Sequence, residues 1–185
     1  MNYRYKTGIQ IIITGAPSTG KTSIINSLKG DNYTVLDEAA REEIIAQQLS
    51  KGNAFPWNNV KQFSALVLRR ILSKKLPQNS LFSDRGIPDI IAYLKMANIP
   101  VDKEYYEAVK ATNYYKKVFL DPICKEIFIN DDQRKESLEE AVQLQEVLIE
   151  TYKDLNFEIL EIPKLGLIER KLWVLEQCKG LFSSE

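Results

Sequence analysis

The sequence predicts an α/β fold, a three-layer αβα sandwich in which a five-stranded parallel sheet lies between two layers of helices. Two observations predict it: strand and helix signals alternate along all 185 residues, and a glycine-rich loop joins the first strand to the first helix. Such alternation is typical of parallel sheets, because consecutive parallel strands are joined by helical crossovers. The length suits one domain over residues 1–185 rather than two domains of ordinary size.

The individual elements follow from apolar runs and from periodic segments between glycine and proline breakers. Strands are predicted at about 8–14, 33–37, 80–84, 116–121 and 157–162. Helices are predicted near 21–29, 38–51, 57–76, 87–97, 102–112, 136–154 and 163–178. In the third helix an apolar stripe recurs every three to four residues, which predicts that most of it is core. The stripe consists of Val60, Phe63, Val67 and Ile71.

The loop after the first strand reads Gly15-Ala16-Pro17-Ser18-Thr19-Gly20-Lys21-Thr22, a complete G-x-x-x-x-G-K-[ST] phosphate loop. Its glycines let successive backbone N–H groups approach phosphate oxygens. Lys21 supplies a positive charge for the β- and γ-phosphates, and the Thr22 hydroxyl is placed to bind Mg²⁺. The pattern predicts a kinase-like P-loop NTPase with ATP as substrate and Mg²⁺ as cofactor. The predicted nucleotide-binding residues are Gly15, Ala16, Pro17, Ser18, Thr19, Gly20, Lys21, Thr22 and Ser23.

Ligands of open α/β sheets bind beyond the carboxyl ends of the strands, so polar residues at those positions are informative. Asp84 ends the third strand and is predicted to hold Mg²⁺ together with Thr22, accepting a hydrogen bond from its hydroxyl. The alternative is that Asp84 caps the helix that begins near Ile87. Arg85 is predicted to bind phosphate, with a surface ion pair as the alternative.

The chain contains no histidine, so catalysis must depend on carboxylates, lysine, arginine and metal. Glu38, directly after the second strand, is the best candidate to accept a proton from an acceptor hydroxyl. The alternative is that Asp37 and Glu38 only favour a helix N-terminus electrostatically.

Two further segments are candidates for closing the site and for recognising the acceptor. Residues from about 121 to 136 are predicted to form a lid whose Arg134 stabilises charge on the transferring phosphoryl group. A solvated loop is the alternative. Trp57, in the segment before the long helix, is either a stacking surface for a flat acceptor or a core anchor.

Composition disfavours several classes of partner. Lys and Arg total 25, as do Asp and Glu, so the net charge of zero gives no overall field for nucleic acid or an anionic membrane. No signal-peptide pattern and no apolar stretch of the ~20 residues that a membrane helix needs is present. Cys124 and Cys178 lack C-x-x-C spacing, which favours reduced thiols. We therefore expect a cytoplasmic monomer or homodimer without a nucleic-acid or membrane partner.

Several of these motifs together resemble a known group of proteins. The chain resembles the NadR-like or AAA-type small P-loop ATPases, which are related to ribosylnicotinamide kinase. The resemblance rests on the phosphate loop, Asp37-Glu38-Ala39-Ala40-Arg41, the segment from Asp84-Arg85 to Ala92-Tyr93, and Arg134. The segment from Asp84 to Tyr93 is also similar to the thymidylate kinase signature and, more loosely, to deoxynucleoside kinases.

The resemblance implies roles for particular residues. It implies that Lys21 and Thr22 bind the phosphates and Mg²⁺ and that Asp84 lies near the metal. It also implies that Glu38 or Asp37 lies near the acceptor and that Arg85 binds phosphate or the acceptor. Arg134 would belong to a lid. Asp89 departs from the thymidylate kinase signature, which has serine there, so the resemblance does not identify a nucleoside.

The sequence therefore predicts a Mg²⁺-dependent kinase that transfers the ATP γ-phosphoryl group to a nucleoside-like or other small acceptor. ATP is favoured over GTP because no Asn-Lys-x-Asp motif occurs. The alternative is a nucleotide-dependent switch or ligand-binding NTPase with slow hydrolysis. The acceptor-side groups Glu38, Arg41 and Arg85 favour the kinase, since a switch does not need them. A ring-forming mechanical ATPase is disfavoured, because the chain has no room for a helical lid domain.

Overall fold

The computed structural model describes residues 8–76, 79, 81–123, 137–179 and 181. Its strands are β1 (Gln10–Thr14), β2 (Val35–Leu36), β3 (Leu81–Asp84), β4 (Lys117–Leu120) and β5 (Glu158–Glu161). Its helices are α1 (Lys21–Gly30), α2 (Ala39–Leu49), α3 (Val60–Ser73), α4 (Ile87–Met96), α5 (Lys103–Ala111), α6 (Leu138–Asp154) and α7 (Leu167–Gln177).

The five strands form one parallel sheet in the order β2-β3-β1-β4-β5. The central strand β1 is buried along its whole length, as its continuous apolar run predicts. Ile12 belongs to the core on one face, with residues of α2 to α6, whereas Ile11 and Ile13 belong to the core on the other, with residues of α1 and α7. The predicted three-layer αβα fold with a five-stranded parallel sheet is confirmed.

The element boundaries differ from the predicted ones where side chains cap the helices. The helix α3 begins at Val60 rather than near residue 57, because the Asn59 side chain accepts a hydrogen bond from the Gln62 backbone N–H at 3.0 Å. The helix α7 begins at Leu167 rather than near residue 163. There Glu169 accepts a hydrogen bond from the Gly166 N–H at 2.9 Å.

The sheet order brings the carboxyl ends of β3, β1 and β4 together at one edge of the molecule. The phosphate loop follows β1 at the centre of this edge, with Asp84 on one side and Asp121 on the other. Among the described helices, none is long and apolar enough to cross a membrane. A single domain over 1–185 stays a prediction.

Candidate active site

Two glycines of the phosphate loop are required by close contacts with neighbouring groups. Gly15 has φ +146°, and a Cβ atom there would lie 2.4 Å from the Asp121 carbonyl oxygen. Gly20 has φ +107°, and its Cβ would lie 3.1 Å from Nη1 of Arg170. Residues with a side chain rarely adopt such φ values, and at Gly15 a Cβ atom would also collide with backbone, whereas at Gly20 the Arg170 side chain would have to give way. The backbone can therefore take the compact course that a phosphate cradle needs.

The Lys21 ammonium group is buried against this loop. Its Nζ donates hydrogen bonds to the Ala16 carbonyl at 2.6 Å and to the Thr19 hydroxyl at 3.2 Å. Burial and the nearby Arg85 lower the pKa of Lys21 from 10.5 to about 7, although Asp84, Glu38 and Asp121 act in the opposite direction. An anion bound at the loop would therefore raise the pKa of Lys21 again and favour its charged form.

Arg85 joins Glu38 to the first turn of α4. Its Nε donates to Glu38 Oε1 at 2.8 Å, and its Nη1 donates to Asp89 Oδ1 at 3.1 Å. The guanidinium is 10% exposed, so the pair is not the surface ion pair considered as an alternative. Arg85 also has φ +67°, a left-handed conformation that is uncommon outside glycine and is found preferentially at functional sites.

Glu38 stays ionised in this environment. Burial raises the pKa of its carboxyl, but Arg85, Lys21 and Arg41 outweigh that effect, so the pKa lies below its ordinary value of 4.5. Glu38 precedes the first residue of α2, yet its side chain makes no capping hydrogen bond to that helix. Its carboxylate instead accepts the hydrogen bond from Arg85.

Asp84 ends β3 as a buried carboxylate. Its Oδ1 accepts no hydrogen bond from the described residues, which is unusual for a buried oxygen. Burial and the nearby Glu38 raise the pKa of Asp84 to about 6, against the influence of Arg85 and Lys21. The expected hydrogen bond from Thr22 to Asp84 is not formed. Thr22 is exposed in the first turn of α1, whereas Asp84 is buried.

The donor set around Asp84 fits Mg²⁺ on chemical grounds. Mg²⁺ usually takes one or two protein oxygens and completes its shell with phosphate oxygens and water. A hydroxyl at Thr22 and an unpartnered carboxylate oxygen at Asp84 supply such ligands. No cluster of three or more metal-binding side chains occurs in the described part of the chain, so phosphate would have to contribute.

Asp89, in the first turn of α4, was not among the predicted site residues. It is 2% exposed and accepts four hydrogen bonds. The donors are the Thr14 hydroxyl at 2.5 Å, Arg85 Nη1 at 3.1 Å, the Gly86 backbone N–H at 2.9 Å and the Tyr152 hydroxyl at 2.6 Å. The Gly86 contact caps α4, so the capping role considered for Asp84 belongs to Asp89. Asp89 therefore holds Arg85 in place.

A second buried ion pair supports the loop from the side of β4. Asp121 Oδ1 accepts from Arg170 Nη1 at 3.2 Å, and the Asp121 backbone N–H donates to the Thr14 carbonyl at 2.8 Å. Asp121 is 1% exposed, and burial raises its pKa against the influence of Arg170 and Lys21. Asp121 itself is buried, and the lid predicted over about 121–136 stays a prediction, because residues 124–136 lie outside the described residues. Arg134 lies outside the described residues.

One cavity of about 890 Å³ joins the phosphate loop to the space between α2, α3 and α4. Glu38, Asp84 and Arg85 line the same cavity. Trp57 lines the cavity, stacks on Phe55 at 5.0 Å between ring centroids and is 53% exposed, so it is not a core anchor.

Comparison with known proteins identifies the family. Residues 10–170 match the model of a family described as an AAA domain. The chain belongs to this family. The match ends at Arg170 and includes every site residue described above. No protein with a curated description matches the sequence.

Solved structures similar to this AAA domain include several kinases and the NadR protein. A crystal structure of the NadR protein in complex with NR superposes with a TM-score of 0.68 at 14% identity, covering 97% of this chain and 52% of that one. Deoxyadenosine kinase from M. mycoides gives 0.63 at 14% identity, covering 94% and 100%. Thymidylate kinase from Candida albicans gives 0.64 at 16% identity, covering 94% and 92%. The chain thus spans about half of the NadR protein and has the P-loop kinase fold, as the resemblance implied.

Proposed function

We propose that this AAA domain is a Mg²⁺-dependent kinase that transfers the γ-phosphoryl group of ATP to the hydroxyl group of a small acceptor. The observation that carries the proposal is the shared cavity, which joins the phosphate loop, the Glu38–Arg85 pair and an apolar space between helices. A protein that only binds and slowly hydrolyses a nucleotide needs no acceptor space beside the γ-phosphate.

The phosphate loop and Lys21 would hold the nucleotide. Backbone N–H groups of the loop and the N-terminus of α1 favour the β- and γ-phosphates. The Lys21 ammonium exchanges its contacts with Ala16 and Thr19 for phosphate oxygens. Thr22 and Asp84 would hold Mg²⁺, which neutralises phosphate charge when bound.

The transfer step forms one bond and breaks one. The acceptor hydroxyl oxygen bonds to the γ-phosphorus while the bond from that phosphorus to the β,γ-bridging oxygen breaks, and ADP leaves. The hydroxyl proton passes to the Glu38 carboxylate and then to water. The low pKa of Glu38 keeps it ionised and able to accept that proton. Arg85 fixes the Glu38 carboxylate and places positive charge beside the transferring group.

Other parts of the proposal rest on the sequence and the family. Arg134 would close over the γ-phosphate as part of a lid. ATP is preferred to GTP, the protein is cytoplasmic, and monomer and homodimer both stay open.

The test compares Glu38→Gln with Glu42→Gln. Glu42 lies one turn further along α2, outside the cavity lining, and pairs with Lys74 at 2.8 Å. Glu38→Gln should lower acceptor-dependent ADP formation by about a hundredfold or more, while ATP affinity changes little. Glu42→Gln should leave ADP formation near the wild-type rate. ADP formation that needs no acceptor and survives Glu38→Gln would favour the nucleotide switch instead.

A further inference from the structure

We propose that the acceptor is an uncharged alcohol with an apolar body, rather than a nucleoside or a phosphorylated metabolite. This inference rests on the proposed kinase function and specifies its substrate class. It follows from the chemistry of the cavity wall away from the phosphate loop. That part of the cavity lies between α3 and α4, and we call it the apolar arm.

Aliphatic and aromatic side chains form the apolar arm. The stripe of α3 that was predicted to be core lines it, and α4 supplies the facing side chains. The lining residues are Val60, Phe63, Val67, Ile71, Ile90 and Met96. Phe63 and Val67 are buried in the core, as predicted, whereas Val60, Ile71 and Met96 are partly buried against it. The stripe therefore serves both the core and the cavity.

Polar groups in the arm are too few to recognise the edge of a base. On α3, its C-cap residue and α4, the polar side chains that line the cavity away from Asp89 are Ser64, Lys74 and Tyr93. Lys74 donates to Glu42 Oε1 at 2.8 Å and to the Asp37 carbonyl at 3.3 Å. A base buried in this arm would leave several of its donors and acceptors unpaired, at a substantial cost in affinity.

The cationic groups of the cavity do not select an anionic acceptor. Arg85 pairs with Glu38 and Asp89, and Arg41 lies 3.9 Å from Glu38. These arginines are balanced by carboxylates of the protein itself, which leaves Lys21 for the phosphates of ATP. Lys74, the other cation of the described lining, is paired with Glu42 at 2.8 Å, so an anionic group in the arm would meet apolar side chains and a lysine that already has its counter-ion.

The arm and the Glu38–Arg85 pair therefore select opposite ends of one molecule. The hydroxyl group would lie against Glu38, and the hydrocarbon body would occupy the arm. A cavity of about 890 Å³ lies within the range of small-ligand sites and accommodates such a body beside the phosphates.

The experiment measures binding of 1-butanol, 1-hexanol and 1-octanol, with adenosine and thymidine as polar probes. Isothermal titration is carried out on the full chain with Mg²⁺ and a non-hydrolysable ATP analogue, and ADP formation from ATP is measured with the same compounds. Affinity for the alcohols should rise by about fourfold per methylene, the gain expected for burying each in an apolar site. The nucleosides should bind more weakly than 1-octanol.

A matched pair of variants separates binding in the arm from binding elsewhere. Ile71→Gln places an amide in the arm, whereas Leu72→Gln changes the next residue, which is 56% exposed and outside the cavity lining. Ile71→Gln should weaken 1-octanol binding by about tenfold or more, and Leu72→Gln should not change it.

Three outcomes distinguish this inference from the kinase proposal. Affinity independent of chain length, or equal loss in both variants, would overturn the apolar acceptor. Tighter binding and phosphorylation of a nucleoside would overturn it too and leave the kinase standing. Alcohol binding that follows the predicted pattern, with no ADP formed from any compound, would support the apolar arm and contradict the kinase.

Discussion

Arg85 Nη1 donates a hydrogen bond to Asp89 Oδ1 at 3.1 Å, so the buried first turn of α4 positions the guanidinium group that holds Glu38. Asp89 also accepts from Thr14 at the end of β1 and from Tyr152 on α6. One carboxylate thus connects the strand that leads into the phosphate loop with two helices on one face of the sheet.

Replacing this carboxylate should destabilise the fold. Asp89→Asn exchanges one acceptor oxygen for an NH₂ group that faces donors, so we expect a loss of about 3–5 kcal/mol in the free energy of unfolding. Urea denaturation measures it. Asp154→Asn is the control, since Asp154 is 66% exposed in its pair with Lys95 and should cost less than about 1 kcal/mol. Equal effects of the two variants would mean that Asp89 is not the centre of this network.

A methyl group at Gly15 should disrupt the phosphate loop. Gly15→Ala forces a side chain into φ +146° and against the Asp121 carbonyl, costing about 1–3 kcal/mol from the backbone alone and displacing the loop. ATP binding, measured by titration, should be lost. Gly30→Ala is the control, because a Cβ at that helical glycine meets nothing within 4 Å and alanine favours helix. Retained ATP affinity in Gly15→Ala would contradict the account of the loop.

The low pKa of Lys21 predicts proton uptake when ATP binds. With a pKa of about 7 in the free protein, Lys21 is mostly neutral at pH 8, and the phosphates favour its charged form. Binding of Mg·ATP at pH 8 should therefore take up close to one proton, and at pH 6 much less. Titration calorimetry in buffers of different ionisation enthalpy measures the uptake. Lys21→Arg should abolish it, and the same uptake in that variant would assign the proton to another group.

The raised pKa of Asp84 predicts how Mg²⁺ dependence changes with pH. Protons compete with Mg²⁺ for a carboxylate of pKa about 6, so apparent Mg²⁺ affinity should be constant above pH 7 and should fall by up to about tenfold per pH unit below 6. Initial rates over a Mg²⁺ series at several pH values measure it. In Asp84→Asn this fall should disappear and Mg²⁺ affinity should be weak throughout. An unchanged profile in that variant would remove Asp84 from the metal site.

The sequence predicted the parts of the site that depend on local order. The phosphate loop is one continuous motif, and Glu38, Asp84 and Arg85 lie at or just after the carboxyl ends of β2 and β3, so sheet topology brings them together. The Asp121–Arg170 pair joins residues far apart in the chain, and no local pattern marks Arg170. Asp89 carried one signal, an acid in the first turn after Gly86, but its contacts with Thr14 and Tyr152 depend on tertiary packing.

The α3 stripe shows a different limit of sequence patterns. Apolar residues at helical spacing predict a face turned away from water, and Phe63 and Val67 are buried. The same pattern does not distinguish a packed core from the wall of an apolar cavity, because both exclude charged side chains. That distinction required the positions of α2 and α4.

Transfer of labelled phosphate tests the central claim most directly. The full chain is incubated with γ-³²P-labelled ATP, Mg²⁺ and a pool of small metabolites that includes uncharged alcohols, and the products are separated into organic phosphate esters and inorganic phosphate. We predict label in an organic ester, lost by about a hundredfold or more in Lys21→Ala and retained in Lys61→Ala, whose side chain is 66% exposed. Label found only in inorganic phosphate, at a rate that the metabolite pool does not change, would contradict the kinase.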